Sequence, residues 1–152
     1  MQGRIKAILI GGMLGGAFDL AFALVSAASN GIAPARLLQI VASGAFGKAA
    51  MDMGAAGAAS GALFHFGLSL LWAALFAVIA ARFSAVSAKP WLSGPVFGVI
   101  VFFAMRLVVL PLSAYPNPVR FAMPGAFYDL LSHMFLFGLP IALANRAFVS
   151  RR

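Results

Sequence analysis

Four stretches of this chain, residues 5–28, 55–81, 92–113 and 127–147, stay apolar for about twenty residues or more with only isolated charges between them. That length is what an α-helix needs to cross a hydrocarbon core roughly 30 Å thick. Inside such a core every backbone N–H and C=O must find its partner within the chain, which leaves helices as the solution for runs of this kind. The pattern therefore predicts an all-α membrane protein, a four-transmembrane-helix bundle. Composition agrees: 63% of the 152 residues are hydrophobic and 9% are charged, against about 45–50% and 25% in soluble domains. The length suits one integral membrane domain over 1–152.

The chain opens with Arg4 and Lys6 ahead of an apolar run, which looks like a signal peptide. A signal-peptide core is about 7–15 residues long and ends at a small-residue cleavage site. This run continues to the Ser29-Asn30-Gly31 turn and carries Asp19, so a retained first span is expected, with cleavage among Ala23 to Ser29 as the alternative. Between the first two spans, residues 34–54 differ in kind. Pro34 suits a helix start, Leu37, Leu38, Val41 and Ala45 recur at helical spacing, and Arg36, Gln39, Ser43 and Lys48 interrupt the other face. An additional interfacial or re-entrant amphipathic helix is predicted there, with Lys48 and Asp52 as an i,i+4 pair.

The net charge of +8 invites a nucleic-acid reading, but the basic residues flank apolar segments and form no stripe with interleaved aromatics. Nucleic acid is not an expected partner; membrane lipids are. Four spans place both termini on one side. Arg4, Lys6, Arg82, Lys89, Arg146, Arg151 and Arg152 would lie there, against Arg36, Lys48 and Arg120 opposite. The positive-inside bias then puts both termini in the cytoplasm. The absence of cysteine excludes disulfides and thiolate chemistry.

Each span also carries a polar residue that lipid would reject: Asp19, His65, Arg106 and His133. A charge in a bilayer core costs roughly 2.5–3.5 kcal/mol on insertion scales, so it faces a partner or a cavity. Counted from the termini side they lie about 13–17 residues deep, within about 6 Å of one another along the membrane normal at roughly 1.5 Å per residue. Residues four apart share a helix face. Gly11 and Gly15 thus stack with Asp19, Gly57 and Gly61 with His65 and Ser69, Gly94 and Gly98 with Phe102 and Arg106, and Asp129 with His133. Small residues mark the close-packed side of membrane helices, so these polar groups belong to the interior. Arg106 stays protonated and needs an anion. Asp19 is the expected counter-ion, with Asp129 the other choice.

A binding or translocation site is therefore predicted from Asp19, His65, Arg106, His133, Asp129 and Ser69. The histidines could exchange protons. No cofactor and no metal is predicted; bis-His haem b on His65 and His133 is the alternative. Gly11 to Gly16 is no nucleotide loop, since the Gly-Lys-Ser/Thr ending is missing. No acid–base–nucleophile spacing argues for an enzyme. Tyr115, Phe121, Phe127 and Tyr128 suggest an aromatic belt on the side away from the termini. Pro111 and Pro140 should kink the third and fourth helices.

His65 followed by Ser69 and an aromatic-rich run to Phe76, Arg106 ahead of Leu110-Pro111-Leu112-Ser113, and Asp129 four before His133 together resemble the YagU-like small bacterial inner-membrane proteins. The resemblance covers mainly the second half of the chain, about 57–144. It departs from the group at Arg106, where a histidine can stand, and at Asp19, where a basic residue can. It implies an inner-membrane protein with a polar interior and supplies no substrate. Two functions compete: proton or small-solute binding and translocation, or a structural subunit whose glycine faces dock a second copy or another membrane protein.

Overall fold

The computed structural model describes residues 1–149, and every element among them is helical. Arg151 and Arg152, counted above among the termini-side cations, lie outside the described residues. Helix α1 is Gln2–Ser29, α2 is Pro34–Phe46 and α3 is Gly54–Arg82. A short α4, Ser84–Ala88, leads into α5, Pro90–Leu112, and the last helix is α6, Gly125–Val149. Helices α1, α3, α5 and α6 are long and apolar enough to cross a membrane. Their exposed faces are apolar too. Leu63, Gly67, Leu71, Leu75 and Val78 form an exposed stripe along α3, which a water-facing surface of a monomer would not carry at that size.

The chain turns where glycine permits it. Gly31, Gly47 and Gly54 hold φ of +74°, +58° and +57°, the left-handed region that costs other residues a steric clash. Gly47 changes the expected course of 34–54. It stops α2 at Phe46, and Gly47–Asp52 winds as a 3-10 helix. Residues three apart stack in that tighter winding, so Lys48 and Asp52 do not meet as an ion pair. The faces of α2 also differ from the amphipathic reading. Gln39 and Ser43 are buried on the α3 side, with Gln39 Nε2 donating to the Gly54 carbonyl at 3.0 Å. A Cβ on Gly61 would collide with the Leu38 carbonyl, so α2 lies backbone to backbone on α3. Leu37, Ile40 and Val41 are left facing a cavity.

Two glycine rows make α1 the centre of the assembly. Gly11 and Gly15 meet α6 near Ile141 and Phe137, while Gly12 and Gly16 meet α3 near Leu70 and Ser69. Helix α6 in turn separates α1 from α5, and Gly98 of α5 abuts the His133 carbonyl of α6. The backbones of α3 and α5 stay apart, and the two helices meet through Trp72 and Phe76 against Phe97, with ring centroids 6.3 and 5.1 Å apart. That contact belongs to a core of Ala73, Phe76, Phe97, Val101, Phe137 and Ile141 near the termini end. Toward the other end α3 and α5 border a cavity that α2 also lines.

Both prolines expected to bend helices lie just beyond a wide turn. Met105–Val109 and Ser132–Gly138 are π-helical, with Leu110 N–H bonding Met105 C=O and Leu139 N–H bonding Met134 C=O. A proline at position i lacks an N–H and crowds the carbonyl at i−4. Those carbonyls, Leu107 and Leu136, fall inside the two π turns, whose longer hydrogen-bond register makes the room.

Candidate functional site

The two π turns carry the charges. Arg106 lies in the first, Ser132 and His133 in the second. Asp129 sits one turn before His133 and half-buried, and Asp19 reaches the group from α1 through the row that begins at Gly11 and Gly15.

A continuous chain of polar contacts results. Arg106 Nη2 donates to Asp129 Oδ2 at 2.6 Å, and its Nη1 donates to the Arg120 carbonyl at 2.9 Å. Its guanidinium carbon lies 4.8 Å from the Phe102 ring centroid and 5.4 Å from that of Phe121, within cation–π range of both rings, which pack edge-on against each other. His133 Nδ1 donates to the Asp129 backbone carbonyl at 2.9 Å and lies 3.3 Å from Asp129 Oδ1 and 3.7 Å from Asp19 Oδ1. A carbonyl can only accept, so Nδ1 carries the proton of the neutral ring and Nε2 is where a second would enter. Ser132 Oγ closes the chain, donating to Asp19 Oδ1 at 2.8 Å.

Asp19 is therefore not the counter-ion of Arg106; Asp129 is. The reason is the order of helices. With α6 standing between α1 and α5, a side chain on α1 reaches α6 and stops there. His65 belongs to the other side of α1, where its Nε2 donates to the Gly16 carbonyl at 2.8 Å and Ser69 Oγ bonds the His65 carbonyl at 2.8 Å. A haem ligated through His65 Nε2 would have to break that bond.

Five of the six anticipated residues, Asp19, His65, Ser69, Asp129 and His133, border one cavity of about 550 Å³ in the cleft between α3 and α5. Arg106 borders a second, of about 440 Å³, beneath the 113–124 connection. Asp129 and His133 face both spaces. Most of the larger cavity is apolar: Leu37 and Val41 of α2, Phe64 and Leu68 of α3, and Val109 and Leu110 of α5. Residues 34–54 carry no signal that α2 walls the site, because an apolar helix face suits a membrane surface and a cavity equally well. Tyr115, counted in an aromatic belt, borders both cavities. Ser132 carried a signal that could have found it, since it immediately precedes His133 in the chain.

Chemically, the group can hold positive charge. Asp19, Asp129 and His133 each present a donor atom, and the three lie within 4.8 Å of one another. Arg106 already neutralises one carboxylate. Comparison with known proteins brings nothing to set beside this geometry: no family model, no curated protein and no solved structure matches the chain.

Proposed function

We propose that this chain is a multi-pass protein of the bacterial inner membrane, both termini cytoplasmic, whose interior polar cluster binds a proton or small solute and carries it across. In this reading α2 lies at the outer membrane surface as a short interfacial helix, and the YagU-like group is the chain's relative. The observation that carries the function is the polar chain from Asp19 through Ser132 and His133 to Asp129 and Arg106, assembled from three membrane-length helices beside a 550 Å³ cavity. Ion pairs that merely lock helices do not need such a space. A pocket of this size, apolar with a few convergent polar groups, is the usual form of a small-ligand site.

Asp19 is the residue exposed to exchange. Its partners are a hydroxyl and an imidazole, both of which can let go, whereas Asp129 is held by a permanent cation. Asp129 and His133 border both spaces, which puts the cluster between the two cavities. The test is flux. Purified protein in vesicles with an entrapped pH dye should dissipate a pH step, and Asp19→Asn and His65→Ala should abolish this while the helical circular-dichroism spectrum is retained. Unchanged flux in both variants would remove the translocation reading.

A further inference from the structure

We infer that the cleft between α3 and α5 is a site for a lipophilic cation, a drug-sized amine or onium ion with an apolar body; this rests on the polar cluster being a binding site. Size and lining come first. About 550 Å³ is too large for a proton or a bare ion and lies within the range of small-molecule pockets, about 300–1,000 Å³. Its walls are aliphatic and aromatic, so the bulk of the occupant must be apolar. Leu37, Ile40 and Val41 of α2 border this space, and an apolar occupant accounts for their facing it.

Charge decides the sign. Two carboxylates, Asp19 and Asp129, border the cavity, and among the described residues no Lys or Arg does. Arg106 reaches Asp129 from the neighbouring space. Among the described residues Asp19 has no permanent cation beside it, only Ser132 Oγ and His133 Nδ1. An anion or a neutral acceptor would meet an uncompensated carboxylate; a cation completes it. Four aromatic residues, Phe64, Trp72, Tyr115 and Phe137, line the wall, and aromatic rings are the side chains that favour an onium group.

Access follows from the fold. The flanking helices α3 and α5 are both of membrane-crossing length and make few close backbone contacts with each other, so in the proposed membrane setting a gap between them would open toward lipid. A compound that partitions into the bilayer can enter sideways. Its competitor is a proton. His133 is faced by Asp19 from α1, by Asp129 on its own helix with Arg106 of α5 behind it, and by the Phe102 and Phe137 rings; His65 of α3 borders the same cavity. A second proton on Nε2 would make His133 the cation beside Asp19. An arriving onium ion takes that place and sends the proton out.

Tetraphenylphosphonium and tetraphenylborate, equal in size and opposite in charge, test this on the full chain in a neutral detergent. By equilibrium dialysis corrected for empty micelles, tetraphenylphosphonium should bind saturably, one per chain, and tetraphenylborate should not. Asp19→Asn should weaken the cation by about tenfold or more, as loss of one partner of a desolvated charge pair does. In weakly buffered solution wild type should release protons on binding, and His133→Gln should bind without release. Equal or tighter binding of tetraphenylborate overturns the inference, even if Asp19→Asn fails to fold. If neither ion binds while Asp19-dependent proton flux persists, the cation class is wrong and the proton site stands. Proton flux independent of Asp19 removes the underlying site instead.

Discussion

The contact between α5 and α6 holds the cluster in register, and Gly98 is where it can be tested. A Cβ there would overlap the His133 carbonyl and press on Met134 Cα. Both obstacles are backbone, so no change of rotamer relieves them. Gly138 offers no slack either, because it faces the Gly94 and Gly98 backbones from the opposite helix. The two helices would have to part by about an ångström, and a gap of about 0.5–1 Å already forfeits a quarter to a half of each van der Waals contact. Overpacking of this kind costs about 1–3 kcal/mol, and the lack of any compliant neighbour places Gly98→Ala at the upper end, about 3 kcal/mol. Gly67→Ala is the control: a Cβ there meets nothing within 4 Å, and helix propensity favours alanine by up to about 1 kcal/mol. Unfolding followed by circular dichroism in detergent should therefore separate the two variants by about 3–4 kcal/mol. Equal stability would refute the backbone-to-backbone packing on which the position of His133 depends.

Arg106→Gln should destabilise the protein by about 1–3 kcal/mol by leaving Asp129 without its cation, and adding Asp129→Asn should restore part of the loss, read by the same unfolding assay. The pair is 21% and 30% exposed, so solvent screening keeps the effect below that of a fully buried pair. Ser132→Ala removes the hydroxyl donor to Asp19 and should cost about 1 kcal/mol; it should also leave Asp19 freer to take a cation, so phosphonium binding should hold or tighten. His65→Phe deletes the bond to the Gly16 carbonyl, with an expected loss of about 0.5–1.5 kcal/mol and faster hydrogen exchange around Gly16 in α1.

Much of this arrangement was legible in the residues. Glycines four apart located the packed faces, and Gly11, Gly15 and Asp19 do lie on the α6 side of α1. The row from Gly94 to Arg106 does turn toward α6. The second row of α1, Gly12 and Gly16, was hidden inside the same glycine-rich run, and it is this row that meets Ser69 and His65. The counter-ion of Arg106 was not decidable from spacing, because Asp19 and Asp129 are equally short carboxylates on membrane-length helices. The π turns were not visible as such; Pro111 and Pro140 announced a distortion, but a kink and a widened turn follow from the same missing N–H.

What the sequence determined by itself is what local chemistry can impose: helices where about twenty apolar residues run together, turns where glycine takes positive φ, and polar groups turned away from lipid. These depend on each segment and its solvent alone. The neighbours were decided by the tertiary structure. Helix α6 came to lie between α1 and α5, α2 turned its apolar face onto a cavity, and Arg106 met Asp129 because Asp19 was on the far side of α6. In a bilayer, lipid tails are as apolar as leucine, so hydrophobicity does not select which helices pair. That choice rests on how closely particular backbones can approach, a property of matched surfaces that no single segment contains.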